Sequence, residues 1–339
     1  MQRILIVKTS SLGDVIHCLP VVNDIHQHFA NIQIDAQIDW VVEESFADIP
    51  RMHAGVNKVF TVAMRRWKKS LLSPKTWSEI AAFKKLIKQN QYDAVIDCQG
   101  LLKSALVTKQ ANTTIHGLKH GFDSSSIREP IASQFYEKKY AISYQQHAVT
   151  RNRALCAMSL GYANPTNAPD YGISISNNTP RESNGSASLM DIGLQGSYII
   201  ALHGTSRDSK LWPVTNWVNL GKELAKQNLN LVLPWASDEE LTRANQIAQQ
   251  LTNATVLPKL SILQIVGMIS HAKAAIGVDT GLSHLAAALN IPTVALYTDT
   301  NPALTGVMAG KFAPAINLGG IDKIPSVAIV VVALNKLTD

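Results

Sequence analysis

Residues 274–289 read A-A-I-G-V-D-T-G-L-S-H-L-A-A-A-L, and their pattern changes period partway through. Ala274 to Val278 is an apolar run too short for a helix. It halts at Asp279, Thr280 and Gly281, and apolar residues then resume at helical spacing through Leu282, Leu285, Ala286 and Leu289. The stretch therefore predicts a buried strand, a tight turn and a helix. Thr280 or Asp279 can cap the helix, and Gly281 lets a ligand approach the backbone. Such a turn presents unpaired N–H groups at the positive end of a helix dipole, which suits a phosphate. An ordinary capped helix after a buried strand has the same pattern, since such turns recur throughout α/β folds.

Outward from this turn, the same strand–helix alternation recurs along the chain. Short apolar strands are predicted at Arg3 to Val7, Ile38 to Val42, Lys58 to Val62, Ala94 to Asp97 and Thr114 to His116. Helical stretches separate them, among them Val15 to Phe29 and Trp77 to Gln89, and a helix over Gln145 to Leu160 closes this half. The pattern restarts with strands at Tyr198 to Leu202, Asn230 to Leu233, Thr255 to Leu257, Ala274 to Val278 and Thr293 to Leu296. Helices Val214 to Gln227, Asp238 to Leu251 and Ser261 to His271 alternate with them. Between the halves, Ser174 to Gly196 is rich in Ser, Asn, Gly and Pro. The reading is α/β: two tandem Rossmann-like domains with parallel sheets, residues 1–165 and 197–339, joined by a linker region over 166–196. Ligands are expected at the carboxyl ends of the strands, in a cleft where the two domains face each other. A last helix around Pro325 to Leu337 is left open to cross back to the first domain.

A chain of 339 residues is long for one core, which agrees with two domains. No apolar run approaches the ~20 residues that span a bilayer. The run Ile4 to Val7 is too short for a signal peptide, so a cytoplasmic protein is expected. Cys18, Cys98 and Cys156 lack CxxC spacing and predict buried thiols rather than a disulfide framework or a zinc site. The net charge of +6 is uneven. Residues 1–170 carry 20 Lys and Arg against 14 Asp and Glu, while residues 58–153 alone carry 17 against 6. A basic face there would attract nucleic acid, an anionic membrane surface or a multiply charged small molecule, although Lys-rich helices that are merely solvated look the same. Few aromatics interleave the basic residues, which disfavours single-stranded nucleic acid.

Neither GxGxxG after the first strand nor GxxxxGK[ST] anywhere is present, which disfavours a dehydrogenase or a P-loop NTPase. The strand-end turns of the second half are polar instead: His203-Gly204-Thr205-Ser206-Arg207-Asp208-Ser209-Lys210, then Pro234 to Glu240, then Asp279 to Gly281. Hydroxyls, a lysine and a glycine turn suit a diphosphate, and a carboxylate such as Glu240 suits sugar hydroxyls. His284 lies one turn into the helix, within reach of the same ligand, or is simply structural. Asp14 is expected at the N-cap of the first helix, where local capping and service as a general base are both open.

These motifs carry a resemblance. I-L-I-V-K-T-S-S-L-G-D-V at the start, D-W-V-V-E-E at 39–44, R-R-W-K-K at 65–69, Y-D-A-V-I-D-C-Q-G-L at 92–101, H-G-T-S-R-D-S-K-L-W-P at 203–213, L-P-W at 233–235 and V-D-T-G-L-S-H-L at 278–285 stand in order over nearly the whole chain. The set resembles the lipopolysaccharide heptosyltransferases of glycosyltransferase family 9, and among them most the type I enzymes. The resemblance implies a GT-B fold and an inverting transfer of L-glycero-D-manno-heptose from ADP-L-glycero-β-D-manno-heptose to the first Kdo of Kdo2-lipid A. No cofactor and no metal ion are implied.

Carried over by residue, the resemblance places donor contacts on Thr205, Ser206, Lys210, Glu240, Leu260, Asp279, Thr280, Gly281 and His284, with Ser206 and Leu260 standing where Thr and Met are expected. It places the base on Asp14 and a charge-stabilising catalytic role on Lys210. Acceptor contacts fall on Lys8, Ser11, Gly13, Arg65, Arg66, Lys69, Arg128, His147 and Arg151. A monomer on the cytoplasmic face of the inner membrane, without nucleic acid, completes the expectation. The alternatives are a type II enzyme adding the second heptose, a non-catalytic binder of anionic glycolipid, and an epimerase of the same architecture.

Overall fold

The computed structural model describes residues 1–173 and 196–338, so most of the expected linker, 174–195, lies outside the described residues. The chain divides into two compact units at Ile173/Ser174. In the first unit, strand β1 (Gln2–Val7) is followed by helices α1 (Leu12–Cys18) and α2 (Pro20–Asn31), β2 (Ala36–Glu43), the short α3 (Asp48–Arg51), β3 (Val56–Val62), α4 (Met64–Lys69) and α5 (Pro74–Ile87). Then come β4 (Gln91–Asp97), α6 (Leu102–Gln110), β5 (Asn112–Phe122), β6 (Lys138–Tyr140) and α7 (Ala148–Leu160). The second unit runs β7 (Tyr198–Leu202), α8 (Val214–Lys226), β8 (Asn230–Leu233), α9 (Asp238–Ala248), β9 (Ala254–Val256), α10 (Ile262–Ser270), β10 (Ala274–Val278), α11 (Gly281–Ala288), β11 (Thr293–Tyr297), α12 (Pro302–Thr305), β12 (Ala315–Gly319) and α13 (Val327–Thr338).

Both sheets are parallel and share one topology. The first has strand order β3-β2-β1-β4-β5-β6, and the second β12-β11-β10-β7-β8-β9. Each is the doubly wound order, in which the winding reverses once. The reversal falls between β1 and β4 in one sheet and between β7 and β10 in the other. At such a point the two strand-end loops diverge to opposite faces and leave a crevice, the usual ligand position in open α/β sheets.

The central strands are apolar throughout because helices cover both faces. In the first unit Leu5, Val7, Val41, Phe60, Phe83, Ile87 and Val95 form one core layer. In the second, Ile199, Ala201, Ile276, Val278, Val294 and Leu296 pack against Trp217, Leu220, Leu224, Val330 and Leu334. Trp212 stands edge-on to Trp217 with centroids 5.0 Å apart, and its indole N–H donates to the Pro325 carbonyl at 2.8 Å. That bond fixes the approach to α13, which packs on α8 and on β10, β11 and β12 within its own unit.

Several expected boundaries move, each for a local reason. The helix expected over Val15 to Phe29 is two helices, because Pro20 has no N–H with which to continue α1. Strands β6 and β12 and helix α6 escape sequence reading. The first is the charged three-residue stretch Lys-Lys-Tyr, whose pairing rather than its apolarity makes it a strand. All three cysteines are free and buried, as expected, but the fold draws two together: the sulfurs of Cys98 and Cys156 lie 3.8 Å apart. No helix among the described residues is long and apolar enough to cross a membrane.

Candidate active site

The crevice of the second unit starts from a close approach of helix to strand. Gly277, in β10, has no side chain, and a Cβ there would lie 2.2 Å from the Ser283 hydroxyl of α11. The missing atom lets α11 press onto β10, and Ser283 donates to the Val278 carbonyl at 2.7 Å. Ala286, Ala287 and Ala288 continue the small, buried face. The first turn of α11 is thereby held at the strand end, with its leading N–H groups lacking intrahelical partners.

Thr280 is the N-cap residue, but its hydroxyl makes no capping bond, and the Asp279 carboxylate does not cap either. The side-chain cap expected at this turn is therefore absent. The reason is that Asp279 is engaged elsewhere: its Oδ2 accepts from Lys210 Nζ at 2.5 Å and from the Thr300 hydroxyl at 2.6 Å. Its carbonyl accepts from the Thr205 hydroxyl at 2.9 Å. The Lys210 and Asp279 side chains are only 13% and 10% exposed, so the pair is partly desolvated and its attraction exceeds that of a surface pair.

The other donor-side residues distribute unevenly. Glu240, at the start of α9, accepts from the Ala236 N–H at 2.7 Å, and its Oε1 sits 2.4 Å from where a Gly204 Cβ would stand. The loops after β7 and β8 therefore meet at Gly204. His284 is buried in α11, Ser206 is exposed, and Leu260 is half-buried on the loop before α10. Thr205, Lys210, Asp279, Thr280 and Gly281 thus converge, and Glu240 borders them through Gly204, whereas among the described residues no side-chain hydrogen bond or ion pair ties Ser206 or Leu260 to the group. Sequence reading missed Thr300, although the polar stretch Thr298 to Asn301 after β11 has the same strand-end character as the turns it singled out. His203, buried beneath the loop, has its pKa lowered to about 4 by burial, so it is neutral at pH 7.

The crevice of the first unit lies where β1 and β4 end. Asp14 is the third residue of α1 rather than its N-cap, which is Ser11. Its Oδ2 accepts from the Ser11 N–H at 2.7 Å and the Ser11 hydroxyl at 2.9 Å, the reciprocal half of a capping box. One carboxylate oxygen is thus fixed by the chain, and the side chain is held in place. Lys8 is buried and donates to the Cys98 carbonyl at 2.7 Å, tying β1 to β4. Gln99 Oε1 accepts from the N–H groups of Thr9 and Ser10, both at 3.1 Å.

Lys103, which sequence reading did not select, donates to the Ser10 hydroxyl at 2.6 Å. Burial lowers its pKa, while the Glu43, Asp14 and Glu129 carboxylates pull it back up. It is the second residue of α6, in the first turn of a helix that sequence reading does not pick out. Below this turn Asp97 is fully buried, and burial raises its pKa to about 6 even though Tyr136 and the Gly100 and Gln99 N–H groups bond it.

The basic candidates divide into free and occupied cations. Arg65 is exposed on α4, its backbone N–H bonded to Glu43 at 3.0 Å and its guanidinium 5.2 Å from the Phe46 ring. Lys69 and Arg128 are exposed. Arg66 is bridged by Glu44 and Glu79 at 3.0 and 2.8 Å, so its charge is largely offset locally. Arg151 lies 4.7 and 4.5 Å from the Phe122 and Tyr144 rings and donates to the Ser126 carbonyl, and burial lowers its pKa. His147 is the N-cap of α7 and accepts from the Val149 N–H at 3.2 Å. Ser11 is exposed and Gly13 buried at the start of α1. Among the described residues, no group of three His, Cys, Asp or Glu side chains is placed to hold a metal ion.

Comparison with known proteins gives this geometry a context. A family model described as glycosyltransferase family 9 (heptosyltransferase) matches residues 80–320. Lipopolysaccharide heptosyltransferase 1 of Escherichia coli K12 is 44% identical over 308 residues, covering 90% of each chain. Lipopolysaccharide heptosyltransferase 2 of the same strain is 32% identical over only 108 residues, 30% of this chain and 31% of that one. Among solved structures, E. coli heptosyltransferase WaaC with ADP superposes with a TM-score of 0.84 at 40% identity, covering 99% of both chains. The same enzyme with ADP-2-deoxy-2-fluoro heptose gives a TM-score of 0.83 at 39% identity, again over 99% of both.

Proposed function

This chain belongs to glycosyltransferase family 9, the heptosyltransferases, and from that premise we propose how its residues divide one transfer reaction between the two units. Its fold is GT-B and its activity is heptose transfer in the lipopolysaccharide inner core. The proposed donor is ADP-L-glycero-β-D-manno-heptose, and the proposed acceptor is the first Kdo of Kdo2-lipid A. The observation that carries the donor assignment is the convergence of Lys210, Thr205, Asp279 and the α11 N-terminus at the reversal of the second sheet.

In this reading the ADP diphosphate lies against the N–H groups of Thr280 and Gly281, where donors and helix dipole together favour negative charge. Lys210 supplies a point charge, held in place by Asp279. Glu240 accepts hydrogen bonds from sugar hydroxyls, and Ser206, Leu260 and His284 line the remainder of the donor site. The Asp14 carboxylate takes the proton of the acceptor hydroxyl as that oxygen attacks the anomeric carbon. The bond from that carbon to the diphosphate oxygen breaks, ADP leaves with the electron pair, and the anomeric centre inverts. Lys210 and the α11 N–H groups stabilise the charge that develops on the leaving diphosphate, the electrostatic role that commonly contributes most. No cofactor enters the sequence of steps.

The acceptor's phosphates and carboxylates are assigned to the basic first unit: Arg65, Lys69 and Arg128 as accessible cations, Arg66 as one largely offset by Glu44 and Glu79, and Arg151 as one held against the Phe122 and Tyr144 rings. Lys8, Ser11, Gly13 and His147 shape the edge around Asp14. The type I assignment is supported by the length of the match, 90% of the chain against 30% for the type II relative. The test is ADP release measured with each substrate alone and with both. Release that requires both substrates supports transfer. Binding of ADP-heptose without any acceptor-dependent release contradicts it and leaves a sugar-nucleotide binder.

A further inference from the structure

At the carboxyl edge of the first sheet, β3 runs into α4, a four-residue loop and α5. The tip of this excursion is apolar and open to solvent: Leu72 is 100% exposed, Leu71 52% and Trp77 58%. Trp77 donates its one N–H to the Leu71 carbonyl at 2.8 Å, which pins the ring to the loop and leaves no polar group on it unsatisfied. Single exposed apolar residues are ordinary on a protein surface, but three large ones within seven positions are a patch.

The surroundings are strongly basic. Residues 65–88 carry eight Lys and Arg and one acidic residue. That acid, Glu79, is already bonded to Arg66 and to the Trp67 indole. An apolar tip with a tryptophan, flanked along the chain by Lys68, Lys69 and Lys75, matches the chemistry of a bilayer interface. Leucines enter the acyl boundary, the indole sits at headgroup level, and lysines extend toward anionic headgroups. We propose that residues 70–77 dock this protein on an anionic phospholipid bilayer.

The position of the tip supplies a reason. Helix α4 is anchored to the end of β2, because Glu43 accepts from the Met64 and Arg65 N–H groups at 3.2 and 3.0 Å. Glu43 and Arg65 both act electrostatically on Lys103, as does Asp14. The tip and Asp14 therefore belong to the same edge of the same sheet. An acceptor anchored in a bilayer by acyl chains would present its sugar toward Asp14 while the tip rests on the surface beside it. This last step rests on the heptosyltransferase reading; the docking surface itself does not.

The test uses the full chain in vesicle flotation, with vesicles of phosphatidylethanolamine and phosphatidylglycerol, or of phosphatidylcholine alone. The wild type should float with the anionic vesicles, less so at high salt, and remain unbound with the neutral ones. The double variant Leu71→Ser/Leu72→Ser should bind the anionic vesicles more weakly by at least about tenfold, as expected when two bilayer-inserted aliphatic side chains are lost. Trp77→Phe should abolish a blue shift of tryptophan emission on vesicle addition. With Kdo2-lipid A in vesicles, the double variant should raise KM, while turnover of a deacylated, water-soluble acceptor stays unchanged. Equal flotation of variant and wild type, equal binding to neutral vesicles, or retention on DNA without vesicle binding would overturn the proposal. Vesicle binding lost as expected, with no heptose transferred to either acceptor, would uphold the docking surface and reject the transfer reading instead.

Discussion

Lys210 Nζ lies 2.5 Å from the Asp279 carboxylate, and the two residues come from loops on opposite sides of the β7/β10 reversal. The contact closes the second crevice with a cation already aimed. Replacing Lys210 with Ala should lower kcat/KM by about 10²–10³, the scale of losing one stabilising donor of developing charge. Arginine should restore little of it, because a planar fork does not reproduce a compact ammonium at this site. Steady-state kinetics with both variants checks this, and wild-type kcat/KM in Lys210→Ala would remove the residue from the reaction.

Asp14 has two jobs that separate by measurement. As a base it should contribute about 10²–10⁴-fold to turnover. As the third residue of a capping box it should contribute about 1 kcal/mol to stability. Asp14→Asn retains an acceptor oxygen for Ser11 but cannot take a proton, so it should lose turnover while melting near the wild type. Asp14→Ala should lose both. ADP affinity by calorimetry should be unchanged in either.

Gly204 offers a test by steric displacement. An alanine methyl there would lie 2.4 Å from Glu240 Oε1, and the flexible carboxylate must swing away. Gly204→Ala should fold normally yet weaken binding of ADP-heptose several-fold. If Glu240→Ala weakens binding and Gly204→Ala does not, the swing leaves the carboxylate in reach and the Gly204 contact is incidental.

Stability should fall on acidification. His53, His120 and His203 are buried, and burial holds each at about 4 against an ordinary 6.5. Below pH 6.5 the unfolded chain binds protons that the folded chain does not, so stability is lost progressively between about pH 6.5 and 4. Asp97 acts oppositely: with its pKa raised to about 6, the folded state binds its proton first, which adds stability as pH falls from 6 toward 4. Three groups outweigh one, so melting temperature should decline over this range. Asp97→Asn should steepen the decline, and thermal melts against pH report both.

The architecture was readable because both sheets are wound from strands buried on two faces, whose apolar runs stand out between polar turns. Ala274–Val278, Tyr198–Leu202 and Asn230–Leu233 coincide with the expected strands to the residue. What escaped depends on pairing or on contact. Strand β6 is a strand only because β5 lies beside it, and β12 because β11 does. On the donor side the turn at 279–281 was legible, but not the use of Asp279. A carboxylate before a helix looks like a cap until Lys210, 69 positions away, is seen to claim it. Lys103 and Thr300 carry no motif of their own, and only the strand order brings them to the crevices.

In the proposed function this chain adds the first heptose to the lipopolysaccharide core. The direct measurement is mass spectrometry of Kdo2-lipid A, with and without a first heptose already attached, after incubation with ADP-heptose and the protein. The heptose-free acceptor should gain the mass of one heptose and the heptose-bearing one none. A gain only on the heptose-bearing acceptor, or on neither, would contradict that function.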